Sequence, residues 1–122
     1  YGDVQLEGRV FRGEAGFGLR CNNTLHHQAL LVHKSLHQDL PFDTRFKVYA
    51  DFDFNQRLMK SGAHFVYSPA LRAAALPGGV SSRKAHLETL QIVRKNFGLL
   101  WCGVASFYLL LQKVARTLGA AR

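Results

Sequence analysis

Two carboxylates stand two residues apart in the segment KVYADFDFNQRL, which runs from Lys47 to Leu58. Asp51 and Asp53 could be helix-start residues, metal ligands or the working acids of an enzyme. Residues two apart on an α-helix point about 200° away from each other. The two side chains therefore cannot face one site, and at most one of them is free to act on a substrate.

The helix that carries these acids has clear start and stop signals. Asp51 is predicted as the N-cap residue, and Asp53 falls in the first turn, where a negative charge suits the helix dipole. Gly62 is the predicted stop. An ion pair between Asp53 and Arg57, four residues apart, would contribute about 0.3 kcal/mol. A carboxylate held ionised at a helix start is also suited to accept a proton.

The histidines form weaker patterns. His33 and His37 are four residues apart on a predicted helix and could share a metal ion, but no glutamate completes an HExxH motif. His26 and His27 are adjacent and precede a predicted strand, so they point to opposite sides of the chain. Only one of that pair can face a site.

Composition indicates one domain with a sizeable core. The chain has 122 residues, 48% of them hydrophobic, and a net charge of +8. Such a charge favours anionic partners, although no run of like charges indicates a nucleic-acid tail. The phenylalanines fall at core-like positions, so nucleic acid is not an expected partner. Cys21 and Cys102 lack zinc-ligand spacing and are interpreted as free thiols in a reducing compartment.

The elements that must position these residues alternate between strands and helices. Alternating apolar and polar residues, or short runs of apolar residues, predict the strands. Pro41 ends a short helix. From Arg83 onward the pattern is helical. The predicted strands are Tyr1–Leu6, Arg9–Arg12, Ala29–Val32 and Ala63–Tyr67, the helices before Arg83 are Lys34–Leu40 and Asp51–Ser61, and Leu76–Ser82 is a glycine-bearing loop.

The tail contains an apolar run from Phe97 to Leu111, with basic residues on both sides. The run is shorter than the about 20 apolar residues that a spanning helix needs. Trp101, Tyr108 and the flanking bases suit a helix in a membrane interface. A helix docked on a neighbouring domain and a true span are the alternatives.

Read in order, the segments YGDV, HQALLVHKSL, LPFDTRFKVYADFDFNQRL and PGGVSS resemble the C-terminal half of bacterial family 2 glycosyltransferases of the GT-A fold. These enzymes make cell-surface polysaccharides of the colanic-acid, O-antigen and capsule type. The similarity covers most of Tyr1 to Ser82 and is weaker in the tail. Its most specific piece is FDTRFKVYADFDFNQRLMKSG.

The resemblance implies a role for each matching residue. Asp51 matches the second acid of a Glu-Asp pair and would be the general base that deprotonates the acceptor, whereas Ala50 replaces the Glu. The matching residues with implied substrate contacts or site-wall positions are His27, Gln28, Asp53, Arg57 and, in a loop that closes over the donor diphosphate, Gly78, Gly79 and Ser81.

The implied fold is α/β: residues 1–82 form the acceptor-side half of a GT-A domain, and residues 83–122 form a basic, apolar helical tail. The implied function is inverting sugar transfer from a nucleotide-sugar to a glycan or lipid-linked acceptor. The nucleotide-binding half and most ligands of a divalent cation, Mg or Mn, would lie outside this chain, which alone would be inactive. We expect cytoplasmic, peripheral binding to the inner membrane through its anionic surface. The alternative is a stand-alone, non-enzymatic basic module that binds a membrane or a partner.

Overall fold

The structure, a computed structural model, describes residues 1–76 and 86–120. Over these ranges the protein is mixed α/β, with one small sheet and four α-helices. Two short 3-10 helices, Phe17–Arg20 and His27–Ala29, lie between the second strand and the first α-helix. The strands are β1 (Asp3–Leu6), β2 (Arg9–Arg12) and β3 (Arg72–Ala75), and the helices are α1 (Lys34–Asp39), α2 (Ala50–Lys60), α3 (His86–Phe97) and α4 (Leu99–Ala120).

The sheet has the strand order β2-β1-β3. β1 and β2 form an antiparallel hairpin in which Leu6 lies opposite Arg9, so Glu7 and Gly8 alone make the turn. Both turn residues have positive φ, 49° and 77°, which a two-residue turn matched to the strand twist requires. β3 pairs with β1 in parallel. The first two predicted strands and the turn between them are confirmed.

Two other predicted strands are wrong. The segment 29–32 follows the 3-10 helix His27–Ala29 and touches the sheet through one hydrogen bond, from Gly2 N–H to the Ala29 carbonyl, while Leu31 is 79% exposed. The segment 63–67 likewise meets the chain start at Val66 without forming a ladder. The reason is that β1 is already paired on both edges, with β2 on one side and β3 on the other.

The core joins segments from across the described chain. Phe52 from α2, Ile92 and Val93 from α3 and Ala105 from α4 are fully buried and pack in one cluster with Leu19, Cys21 and Leu25. α3 and α4 therefore share the core of the first 76 residues. The predicted division between residues 82 and 83 lies outside the described residues.

The tail is not one continuous helix. Gly98, with φ of +88°, separates α3 from α4, because a glycine adopts the left-handed conformation that ends a helix. The predicted apolar run from Phe97 to Leu111 is therefore split near its start. Among the described residues, no helix combines the length and apolarity needed to cross a bilayer.

Candidate functional site

A broad cleft of about 1400 Å³ opens beside the start of α2. Its lining comes from the loop 22–28, the residues leading into α2, the end of the sheet around Leu6 and Ala75, the first part of α3 and the second half of α4. Asp51 lines this cleft together with His27 and Gln28. The structure thus brings together three of the residues that the sequence assigns to a site.

Asp51 is not the N-cap of α2, and that prediction is wrong. The helix begins one residue earlier than expected, with Tyr49 at the cap position and no side-chain capping bond. Glu88 of α3 instead reaches this end of the helix and accepts the Val48 N–H at 3.1 and 3.2 Å. The Asp51 side chain lines the cleft and is 21% exposed.

Asp51 is held by two neighbours from the loop 22–28. Asn23 Nδ2 donates to Asp51 Oδ2 at 3.3 Å, and His27 Nδ1 lies 3.7 Å from the same oxygen. The second oxygen, Oδ1, accepts the N–H of Phe52 at 2.8 Å. His27 itself is 61% exposed, so a ligand can reach both the imidazole and the carboxylate.

His26 and His27 stack on each other, with ring centroids 4.9 Å apart. His26 Nδ1 accepts the N–H of Gln28, which caps the short 3-10 helix and requires that nitrogen to be unprotonated. Burial, and then the charge of His27, lower the pKa of His26, while Asp51 opposes that shift. The stack thus supplies one structural histidine and one exposed histidine.

Asp53 has the opposite environment, since its side chain is fully buried. Oδ2 accepts Arg57 Nε at 2.8 Å, while Oδ1 accepts Lys95 Nζ at 2.7 Å and Asn96 Nδ2 at 3.0 Å. These donors come from α2 and α3. Two cations and an amide compensate the buried charge, so Asp53 joins the two helices.

Gln56 extends this network to the 3-10 helix Phe17–Arg20. Its Nε2 donates to the carbonyls of Leu19 and Arg20 at 3.0 Å, and its Oε1 accepts Asn96 Nδ2 at 3.1 Å. Gln56 is fully buried. These bonds fix the rotation of α2, which determines that Asp51 faces the cleft and Asp53 faces the interior.

The loop before α2 is fastened to the same network. Lys95 Nζ also donates to Asp43 at 2.9 Å, and Arg57 Nη2 donates to the Pro41 carbonyl at 2.7 Å. Hydrogen bonds from Arg45, and then from Lys95, hold the pKa of Asp43 well below its usual range. The approach to α2 is therefore positioned by charged contacts.

The remaining predicted site residues lie elsewhere. Asp53 and Arg57 do not line the cleft, and they hold α2 through their ion pair, so the substrate contacts implied for them stay a prediction. Gly78, Gly79 and Ser81 lie outside the described residues, so the proposed loop over a diphosphate stays a prediction.

Sequence reasoning missed four residues that shape the site. Asn23 and Glu88 act through partners 28 and 40 residues away, which no local pattern reveals. Lys113 and Arg116 of α4 also line the cleft, although the sequence shows them only as basic flanks of an apolar run. They make that side of the cleft cationic.

The described residues do not fit a divalent cation. Both oxygens of Asp53 are engaged by cationic and amide donors, and Asp51 faces away from Asp53. Over residues 1–76 and 86–120, no three His, Cys, Asp or Glu side chains converge as metal ligands.

Comparison of the chain with protein-family models, with curated proteins and with solved structures gave no match.

Proposed function

We propose that this chain carries the acceptor side of an inverting glycosyltransferase of the family 2, GT-A type, with Asp51 as the general base. The observation that carries the proposal is the separation of the two acids on α2. Asp53 is buried and fully paired, whereas Asp51 is partly exposed in a large cleft and is held by Asn23 and His27. This is the arrangement that a base for an acceptor hydroxyl requires.

In the proposed reaction, the acceptor hydroxyl approaches the carboxylate of Asp51, which takes its proton. The acceptor oxygen attacks the anomeric carbon of the nucleotide-sugar from the side opposite the leaving group. The new glycosidic bond forms as the bond to the diphosphate oxygen breaks, and the nucleoside diphosphate leaves with both electrons of that bond. Asn23 and His27 orient Asp51 Oδ2, and Gln28 extends the same wall of the cleft.

Gly78, Gly79 and Ser81 are proposed to approach the donor diphosphate through their backbone N–H groups. The nucleotide-binding half and the divalent cation belong, in this proposal, to a part of the enzyme outside this chain. The acceptor is a glycan or a lipid-linked sugar at the cytoplasmic face of the inner membrane. The net charge of +8 supports binding to that anionic surface.

The test compares Asp51→Asn with Asp39→Asn in the full-length gene product. Transfer is measured with a panel of nucleotide-sugars as labelled sugar that appears in a membrane lipid extract. Asp51→Asn should lower turnover by about 10²–10⁴-fold with donor affinity nearly unchanged, because a general base acts only in the transition state. Asp39 is exposed on α1 and away from the cleft, so its variant should match the wild type. Turnover of Asp51→Asn within a few-fold of wild type would show that the base is another group.

The second candidate is a non-enzymatic module that binds a partner, and the uncovered apolar face of α4 favours it. In that case Asp51 is a helix-start residue and nothing more. Transfer of no sugar from any donor, combined with stable binding of the chain to a partner, would support this candidate.

A further inference from the structure

The second half of α4 places two cations in the cleft that contains Asp51. Lys113 and Arg116 lie three residues apart, so they share one face of the helix, and both line the cleft. All eight acidic residues of the chain fall within the described ranges, and none of them forms an ion pair with either cation. The cations of the buried network, by contrast, are paired with Asp53. The cleft therefore contains positive charge that no described carboxylate neutralises.

Arg116 is connected to the loop that holds Asp51. Its Nη2 contacts Gln112 Oε1 at 3.5 Å, and the same oxygen accepts Asn22 Nδ2 at 3.4 Å. The next residue of the loop, Asn23, donates to Asp51. Because the Cα atoms of adjacent residues lie about 3.8 Å apart, the guanidinium and the candidate base are attached to neighbouring points of one loop. A ligand bound at Asp51 can therefore extend to Arg116.

Cations outnumber acids among the residues that line the cleft. Lys47 adds a third cation, and its Nζ donates to the carbonyl of Thr44, which carries no charge to offset it. The acids of the lining are Glu7 and Asp51. Because the walls of a cleft focus the field of an excess charge, this cleft favours a ligand that carries an anionic group.

The chemistry of the two α4 cations indicates a phosphate group. An arginine donates two parallel hydrogen bonds to an oxyanion, and a lysine binds phosphate as a compact point charge. A phosphate monoester carries about −1.5 to −2 charges at pH 7, which two cations can neutralise, whereas a carboxylate carries a single charge. Asp51 is itself an acid and repels an anion. The phosphate must therefore lie at the α4 end of the ligand, and a hydroxyl group at the Asp51 end.

We propose that the cleft binds its ligand through a phosphate group held by Lys113 and Arg116, and that this ligand is the acceptor. The phosphate fixes one end of the acceptor, while a hydroxyl group at its other end reaches Asp51. Neutral glycans lack this interaction, so the two cations select phosphorylated acceptors. The identification of the ligand as the acceptor rests on the proposed glycosyltransferase function, whereas the phosphate site itself does not.

The test measures the binding of ethyl phosphate to the full-length gene product by NMR at about 0.1 M salt, where the screening length is about 10 Å. The side-chain amide signals of Asn22 and Gln112 should shift, because these amides lie next to Arg116. Lys113→Gln and Arg116→Gln should each raise the dissociation constant about tenfold, since each removes a hydrogen bond to a charged group. Both residues are exposed on α4, so neither substitution disturbs the core.

Lys34→Gln and Arg94→Gln are the matched controls. They remove the same two charges from exposed helix positions that do not line the cleft, so they should change the dissociation constant by less than about twofold at this salt concentration. Equal weakening by all four variants would overturn the proposal, because the phosphate would then respond to net charge alone. The absence of saturable ethyl phosphate binding would overturn it as well.

Two further outcomes separate the acceptor from the donor and from the proposed function. Nucleoside diphosphates should bind at Lys113 and Arg116 no more tightly than inorganic pyrophosphate, because the site recognises phosphate alone. A nucleoside diphosphate that binds there more than about tenfold tighter than pyrophosphate would make this the donor site and overturn the acceptor assignment. Phosphate binding in a protein that transfers no sugar would contradict the glycosyltransferase function and support the phosphate site by itself.

Discussion

Asp51 and Asp53 are the same residue type on one helical turn, yet their surroundings give them different roles. Asp53 is a buried carboxylate with Arg57 and Lys95 as charged partners, and these are only 18% and 31% exposed. Asp53→Ala would leave Arg57 without its carboxylate partner and Lys95 with Asp43 as its remaining one. We expect the free energy of unfolding to fall by about 3 kcal/mol, measured by urea denaturation at neutral pH.

The matched control at this scale is Asp51→Asn, which removes a partly exposed charge from the same helix start. Its cost should stay below about 1 kcal/mol, because the helix dipole is the main interaction lost. Equal losses for the two variants would show that Asp53 is no more structural than Asp51. A small loss for Asp51→Asn also makes that variant suitable for the activity test.

The environment of His26 should make the free energy of unfolding depend on pH. Its pKa is lowered from the ordinary value of 6.5, first by burial and then by His27. The unfolded chain therefore binds this proton more readily than the folded chain, and the free energy of unfolding should rise as pH increases toward 6.5. Below that range, protonation also breaks the bond from Gln28 N–H to His26 Nδ1.

The measurement is the urea midpoint of unfolding between about pH 5 and 7, where the folded and unfolded chains differ in how readily His26 binds a proton. His26→Gln should flatten the dependence relative to the wild type. His64→Gln, at an exposed position, serves as the control and should leave the dependence unchanged. An unaltered slope in the His26 variant would mean that another group titrates in this window.

At the scale of elements, α2 ends in a Schellman motif. The Ala63 N–H bonds to the Leu58 carbonyl at 3.1 Å and the Gly62 N–H bonds to the Met59 carbonyl at 3.2 Å, with Gly62 at φ +79°. A Cβ at this glycine would meet no atom within 4 Å, so Gly62→Ala tests backbone strain alone. We expect a loss of about 1–2 kcal/mol in the free energy of unfolding.

Gly103→Ala is the matched control for that variant. Gly103 also has open space around a Cβ, but it lies inside α4, so alanine there should stabilise the helix by about 0.5–1 kcal/mol. Both values come from thermal or urea unfolding. Opposite signs are expected, and a loss at both positions would indicate a steric cause at Gly103.

How far the sequence predicts each element depends on how local its determinants are. The body of α2 was predictable, because the spacing of Phe54 and Leu58 lies within it and the stop residue Gly62 follows directly after its C-cap. The start of α2 was not, since its acid comes from Glu88 on another helix. The sequence did not predict β3, and it predicted two strands that do not form. Both errors have one cause, which is that alternation of apolar and polar residues does not show which segment pairs with an edge of β1.

The candidate site shows the same limit. Spacing alone established that Asp51 and Asp53 diverge, but it left open which of them is buried. The answer depends on Lys95 and Asn96, which lie 42 and 43 residues from Asp53. Their pairing with a buried carboxylate follows from tertiary packing, and no helix or strand period encodes it.

At the scale of the whole molecule, the charge of +8 and the exposed apolar residues of α4, such as Phe107 and Leu111, make separate contributions to surface binding. If those apolar residues do not enter the lipid, attachment to a membrane rests on charge alone. The chain should then float with anionic vesicles at low salt and not with neutral ones. It should detach as salt rises, because the screening length falls from about 30 Å at 0.01 M to about 3 Å at 1 M.

Two variants separate charge from insertion in this flotation experiment. Leu111→Glu and Ser106→Glu each lower the net charge by one, so they should weaken vesicle binding to the same small extent, about 1 kcal/mol each at most. Binding that survives 1 M salt and is lost only in Leu111→Glu would require the apolar face of α4 to enter the lipid, since apolar burial is not screened by ions. Equal, salt-sensitive weakening would show that charge alone attaches the chain to the vesicles.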